Sequence, residues 1–126
     1  MTTTNVPTVA NLLADYEILI RDRGDYLTTY NRAKRDLESA EYELALAKAR
    51  MITAGLEGAN EAQRNANLML LLDADPTAST CRRDIQDNEQ RMADAERELT
   101  LIRMRTRLLD HHLGLTKERS EMAVAS

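Results

Sequence analysis

The residues with the most versatile chemistry in this 126-residue chain are two histidines and one cysteine. His111 and His112 are adjacent, so on a helix their side chains would point about 100° apart and chelate a metal poorly. A di-iron helical bundle needs Glu-x-x-His pairs, but leucines, Leu108 and Leu109, stand three residues before these histidines. The end of a helix would instead suit their partial positive charge. We therefore predict no metal site and no cofactor.

The single cysteine offers no nucleophilic site. Cys81 precedes the histidines by about 30 residues on the same predicted helix, a separation of roughly 45 Å. The sequence contains none of the motifs G-x-S-x-G, H-E-x-x-H or G-x-x-x-x-G-K. Acidic residues such as Glu41 and Glu43 fall on helix faces that we expect to be solvated. The sequence thus predicts a protein that is not an enzyme and has no catalytic residues.

A group of basic residues near the C-terminus is the remaining candidate for a binding site. Its members are Arg103, Arg105, Arg107, Lys117 and Arg119. Clusters of this kind bind the phosphates of nucleic acids. The alternative is that Arg103 and Arg107 pair with Asp22 and Asp25 across an antiparallel hairpin. The net charge of −4 favours this alternative, so nucleic acid is the less favoured partner.

Long helices must position these residues, because the composition is typical of coiled coils. Ala, Leu, Glu, Lys and Arg make up half of the chain, and Phe and Trp are absent. Such a composition argues against a β-sandwich or barrel. A heptad numbered from Val9 places apolar, aromatic or small residues at every a and d position up to Ala54 except Arg23. We expect one helix over 8–54.

Two breaks divide the rest of the chain. Gly55 provides a helix stop and Asn60 an N-cap, which predicts a short helix over 61–73. Pro76 suits the first turn of a third helix, which we expect over 76–113 with a stop at Gly114 and a mobile tail over 116–126. The heptad of this helix places Asn88 at a d position, where a buried Asn can fix register or oligomeric state.

The expected apolar surface is larger than one hairpin can bury. Two long antiparallel helices have little core to offset the entropy of the chain. The residues that we predict at an oligomer interface are Leu13, Ile20, Leu27, Leu68, Met69, Leu70, Leu71 and Leu72. The predicted fold is therefore all-α, a single helical domain over 1–126. Its two long antiparallel helices are joined by a glycine-containing break and a short helix, and they self-associate into a helical bundle.

The expected location is the cytoplasm. The first residues lack the basic and apolar regions of a secretory signal. One cysteine cannot form an internal disulfide. The longest apolar run, residues 68–72, is far shorter than the ~20 residues that a membrane-spanning helix needs. We expect no membrane partner.

The break between the first two helices has a distinctive pattern. Gly55, Gly58, Asn60, Glu61 and Arg64 follow the order G-x-x-G-x-N-E-x-x-R. This resembles a break in small helical proteins encoded by tailed bacteriophages and prophages, and the layout is similar over residues 33–113. The resemblance implies a phage accessory role in the host cytoplasm and no reaction. Such roles include assisting replication or recombination, virion assembly, and blocking a host defence.

Three functions follow from these observations. The first is a non-enzymatic helical homo-oligomer that acts by contact with a protein of unknown identity, in assembly or in inhibition of a host system. The second is a DNA-linked replication or recombination accessory protein that uses the basic C-terminal third. The third is a sponge for a small ligand, with a pocket between chains. The low aromatic content and the negative net charge favour the first.

Overall fold

The computed structural model describes residues 8–125, and helices are the only regular secondary structure among them. The elements are α1 (Val9–Ala54), α2 (Glu61–Ala74) and α3 (Pro76–Ala125). Most helix packing is between α1 and α3. The all-α class predicted from composition and periodicity is confirmed.

Side chains that precede α2 and α3 satisfy the first amide groups of these helices. The Gln63 amide donates to Asn60 Oδ1 over 2.9 Å. In return, Gln63 Oε1 accepts a hydrogen bond from the Ala59 amide over 2.8 Å. Before α3, Asp75 Oδ2 accepts a hydrogen bond from the Ala78 amide over 3.0 Å. The Gln63 and Ala78 amides have no carbonyl acceptor inside their helices, and these bonds supply one.

Residues 55–60 connect α1 to α2 through two glycines with positive φ. The values are +98° at Gly55 and +148° at Gly58, where L side chains are strained. The Gly55 amide donates to the Ile52 carbonyl over 3.1 Å at the end of α1. A Cβ added at Gly58 would lie 2.8 Å from the backbone nitrogen of Arg64. The connection therefore depends on glycine at both positions, and most strictly at Gly58.

Helix α3 continues past the end predicted from the sequence. Gly114 lies inside the helix, and the residues predicted as a mobile tail are helical up to Ala125. Leu113 and Thr116 are half-buried, so the a/d pattern continues beyond the glycine. A glycine inside a helix costs only about 1 kcal/mol, which continued packing offsets. The prediction of a stop at Gly114 is therefore wrong.

Contacts divide the chain into two compact units. Unit 1 combines the chain up to Thr28 with the segment from Ala95 onward, and unit 2 spans Thr29–Asp94. In unit 2, residues 36–43 of α1 share a groove with residues 84–91 of α3. Residues 47–54 share another groove with residues 75–77. Within this unit α1 and α3 are therefore antiparallel, as predicted.

Most buried residues of each unit occupy d positions of the heptad. The buried residues of unit 1 are Leu12, Leu19, Ala95 and Ile102, all at d positions. The buried residues of unit 2 include d positions occupied mostly by small side chains, Ala33, Ala40, Ala47, Cys81 and Asn88. Small seam residues reduce the distance between helix axes, so α1 and α3 approach closely in unit 2.

Candidate functional site

Unit 1 contains a groove between α1 and α3 whose lining combines apolar side chains with three arginines. Its volume is about 420 Å³, within the range of ligand sites. The lining residues are Tyr16, Leu19, Ile20, Arg23, Leu27, Leu99, Ile102, Arg103, Thr106 and Arg107, and we name this site the arginine groove. Leu19 and Ile102 are buried, whereas the three arginines are exposed.

Helical spacing explains why these side chains share one groove. Ile20 and Leu27 are seven residues apart on α1 and follow one line along that helix. Arg103 and Arg107 are four residues apart on α3, so their Cβ atoms lie about 6 Å from each other. Ile20 is 69% exposed, which is unusual for a branched apolar side chain beside a helix seam. Residues 8–125 thus leave part of the apolar lining of this groove uncovered.

The three arginines of the groove carry three positive charges. Within residues 8–125, none of Arg23, Arg103 and Arg107 forms an ion pair. The predicted pairing of Arg103 and Arg107 with Asp22 and Asp25 is therefore wrong. The physical reason is the side of the helix seam on which each residue lies. The groove lies on the e side of the seam, where Arg103 is. Asp22 is at g, on the other side, and Asp25 is at c, which faces away from the seam.

Tyr16 binds Asp110, the acidic residue that lies nearest in sequence to the pair Arg103 and Arg107. The hydroxyl of Tyr16 donates a hydrogen bond to Asp110 Oδ1. Three effects raise the pKa of Tyr16 to about 12. In decreasing order, they are this hydrogen bond, the loss of solvation and the charge of Asp110. Tyr16 therefore stays neutral and remains a donor at physiological pH. Asp110 is committed to this bond although it follows Arg107 by only three residues.

The structure brings two of the five predicted basic residues into the arginine groove. Arg105, Lys117 and Arg119 are exposed on α3 but do not line it. The sequence interpretation missed the third arginine of the groove, Arg23. Its signal was a charged residue at an a position, which was noted only as an exception to the heptad pattern.

The predicted oligomer interface is exposed in part. In unit 1, Leu13, Ile20 and Leu27 are all exposed on α1. On α2 in unit 2, Leu70 is 66% exposed and its neighbours Met69 and Leu71 are also exposed. Leu68 is half-buried.

Leu72 does not belong to this interface, because it is 0% exposed. Five consecutive apolar residues point in all directions around a helix, so one of them must face the interior of unit 2. Its prediction as an interface residue is therefore wrong.

A second exposed apolar stripe was not predicted. Leu101, Met104, Leu108 and Leu115 are exposed on α3. Their spacing of three, four and seven residues places them on one face, opposite the a and d positions. The sequence signal was present, but the heptad interpretation considered only the a, d and e positions.

Unit 2 contains a polar groove of about 340 Å³ lined by carboxylates. Its acidic residues are Asp36, Glu43, Asp84 and Asp87, and Asn88 lies beside them. In the part of the chain that the structure describes, no three acidic, histidine or cysteine side chains converge as metal ligands.

Cys81 in unit 2 is a weak nucleophile. Burial, then the charges of Glu43 and Asp84, raise the pKa of the Cys81 thiol. The thiol lies 3.8 Å from Glu43 Oε2. At its buried d position, Cys81 packs as a small apolar residue.

The two histidines lie well inside α3. Their ring centroids are 6.2 Å apart and the rings are tilted by 57°. The prediction that they occupy the last turn is wrong, because α3 continues to Ala125. The helix dipole therefore does not explain why the two histidines occupy these positions.

Across residues 8–125, no helix has both the length and the apolar character needed to span a membrane.

The geometry of the arginine groove combines apolar walls with positive charge that is unpaired within residues 8–125, which suits a partner that is apolar and acidic. Comparison of this chain with models of protein families, with curated proteins and with solved structures yields no match.

Proposed function

We propose that this chain is a non-enzymatic helical protein that self-associates and acts by protein–protein contact. The observation that carries the proposal is the exposed apolar surface. Each helix presents large apolar side chains to solvent, among them Ile20 on α1, Leu70 on α2 and Leu108 on α3. Monomeric proteins rarely expose large contiguous apolar patches, and such patches often mark interfaces.

The free energy available from covering these side chains is sufficient for association. Burial of apolar surface contributes about 25 cal/mol per Å², or about 1.5–3 kcal/mol for a whole leucine side chain. Leu70 is 66% exposed, so covering it gains on the order of 1–2 kcal/mol. Several such residues together offset the cost of immobilising two chains.

Sedimentation velocity over a range of micromolar concentrations tests self-association. We expect a dimer or a larger assembly. Leu70→Asp and Leu71→Asp should each dissociate it, because each places a charge in an apolar contact. Asn65→Asp on the same helix is the control, since Asn65 is exposed and polar. A 14.3 kDa monomer of the parent chain at all concentrations contradicts the proposal.

The pattern of Gly55, Gly58, Asn60, Glu61 and Arg64 supports a more specific role. Its resemblance to a break in helical phage proteins favours an accessory protein that assists assembly or inhibits a host system. We expect this protein to act in the host cytoplasm. Affinity capture of the tagged chain from its native host, compared with capture by the Leu70→Asp variant, identifies the protein partner.

A DNA-linked accessory function is the second candidate, and one observation favours it. Arg103 and Arg107 are exposed and form no ion pair within residues 8–125, so both are available to phosphates. The net charge of −4 and the apolar walls beside these arginines oppose it. The ligand-sponge alternative requires a pocket between chains, whereas the arginine groove lies within one chain.

Measured affinity for DNA separates these functions. We predict no binding to duplex or single-stranded DNA tighter than about 10 μM at about 150 mM salt. A sub-micromolar affinity that falls steeply with salt, and that Arg103→Ala/Arg107→Ala abolishes, favours the DNA function. The variant Arg105→Ala/Arg119→Ala removes the same charge outside the groove and serves as the control.

A further inference from the structure

We propose that the arginine groove is the docking site for an acidic amphipathic helix of a partner protein. The inference rests on the protein-contact function proposed above and specifies the chemistry of the partner. Three properties of the groove lead to it, namely its shape, its uncovered apolar residues and its unpaired arginines.

The shape of the groove fits one helix. On α1 the lining extends from Tyr16 to Leu27, which corresponds to about 16 Å along the helix axis, or three turns. A surface between two packed helices accepts a third helix, whose side chains at i, i+3 or i+4, and i+7 enter the groove. The volume of about 420 Å³ provides room for such a row of apolar side chains.

The exposed apolar residues distinguish a helix from a simple anion. Ile20 and Leu27 are both exposed in the lining, while Leu19 and Ile102 beneath them are buried. A phosphate backbone or an inorganic anion pairs with arginine but leaves these two side chains in water. A helix with an apolar face covers them, which adds the free energy of apolar burial to that of charge pairing.

The charge of the groove requires carboxylates on that helix. Arg103 and Arg107 are four residues apart, so carboxylates at i and i+4 on an adjacent helix match their spacing. Each guanidinium can bind one carboxylate through two parallel hydrogen bonds. Arg23 on α1 adds a third unpaired charge to the lining.

A second copy of this chain does not satisfy these requirements in the same groove. Symmetric packing of the groove on itself would bring six arginines together, because a twofold interface uses the same patch twice. The exposed leucines of α2 are accompanied by Asp73, whose carboxylate already pairs with Arg82 in unit 2. A different chain with free carboxylates meets both requirements, and we assign the groove to it.

Fluorescence anisotropy with synthetic peptides and the full chain tests the proposal. The probe is a labelled amphipathic peptide with leucines on one face and glutamates at flanking i and i+4 positions. One control peptide carries lysine in place of each glutamate, and a second has the same composition in scrambled order. We expect the glutamate peptide to bind at least about tenfold more tightly than either control, and more weakly as salt rises.

Matched variants assign the binding to the groove. Arg103→Ala/Arg107→Ala should weaken binding of the glutamate peptide about tenfold, because it removes two exposed charge pairs with the peptide. Arg105→Ala/Arg119→Ala removes two charges from the same helix but leaves the groove lining intact, and it should bind like the parent. Ile20→Ala should also weaken binding while retaining its salt dependence.

Three results would overturn the inference. The first is equal binding of the glutamate and lysine peptides, and the second is equal loss of affinity in the two double variants. The third is complete competition by an oligonucleotide or by inorganic phosphate at a concentration equal to that of the peptide, which would assign the site to phosphates. Sedimentation of Arg103→Ala/Arg107→Ala keeps the two proposals distinct. If the peptide fails to bind while Leu70→Asp still dissociates the assembly, only the docking inference fails.

Discussion

Replacing Asn88 with leucine should stabilise the protein, because Asn88 places an unpartnered oxygen in the helix seam of unit 2. The residue occupies a d position and is only 6% exposed. Its Nδ2 donates to the Asp84 carbonyl over 2.8 Å. Its Oδ1 is buried and has no hydrogen-bond partner among residues 8–125. Leucine has the same number of side-chain heavy atoms, although it is larger, and it needs no partner at this position.

The expected gain is about 1–2 kcal/mol. A buried acceptor without a partner costs roughly 1–3 kcal/mol, and leucine has a higher helix propensity than asparagine by about 0.4 kcal/mol. The lost hydrogen bond to Asp84 opposes this gain by about 1 kcal/mol. The Asp84 carbonyl keeps its partner, since it still accepts the backbone amide of residue 88 inside α3.

Urea denaturation followed by circular dichroism measures the change in the free energy of unfolding. The parent and the variants are compared at one protein concentration, because association contributes to the measured stability. Asn31→Leu is the control, since Asn31 is exposed on α1 and reports helix propensity without burial. A loss of stability in Asn88→Leu would refute the reasoning. Sedimentation of the variant would then reveal an altered oligomeric state, as expected for an Asn that fixes register.

Four further substitutions test the seam, the connection and the groove. Ala40→Leu and Ala47→Leu should each lower stability by roughly 1–3 kcal/mol through overpacking, and unchanged melting temperatures would show that the two alanines do not face α3. Gly58→Ala should cost more than 1 kcal/mol in urea denaturation, because φ is +148° and the added Cβ meets the backbone; a neutral result would refute that geometry. Tyr16 should keep its proton longer in the folded chain, where its pKa is about 12, than in the unfolded chain, where it is about 10. Stability should therefore fall from pH 10 towards pH 12, and Tyr16→Phe should reduce that fall and remove the last step of the tyrosinate absorbance titration.

The helices were predictable because helix propensity, which acts locally, agrees with the heptad pattern over most of the chain. The heptad that starts at Val9 identified the buried d positions, including Ala33 and Ala47, before any contact was known. Where helix propensity and seam packing disagreed, seam packing determined the structure. Gly114 resembles a helix stop, but Leu113 and Thr116 continue to pack, and seam packing outweighs the propensity of one glycine.

The apolar exposure on α3 was missed for a different reason. A heptad interpretation assigns each residue to one seam, whereas Leu101 and Leu108 belong to a second face of the same helix. Two apolar faces on one helix imply two neighbours. The sequence alone does not show which face the chain covers itself, and here the a/d seam is covered while Leu108 remains exposed.

The arginine groove depends on the side of the seam that each charged residue occupies. The predicted pairing of Arg103 with Asp22 and Asp25 considered only which residues lie opposite each other along two antiparallel helices. Arg103 is at e, whereas Asp22 is at g, on the other side of the seam. Arg23, at an a position, lines the groove together with Arg103, so an expected ion pair becomes a cluster of like charges. Such a cluster beside an exposed Ile20 adds nothing to folding stability, so its presence favours a role in binding an apolar and acidic partner.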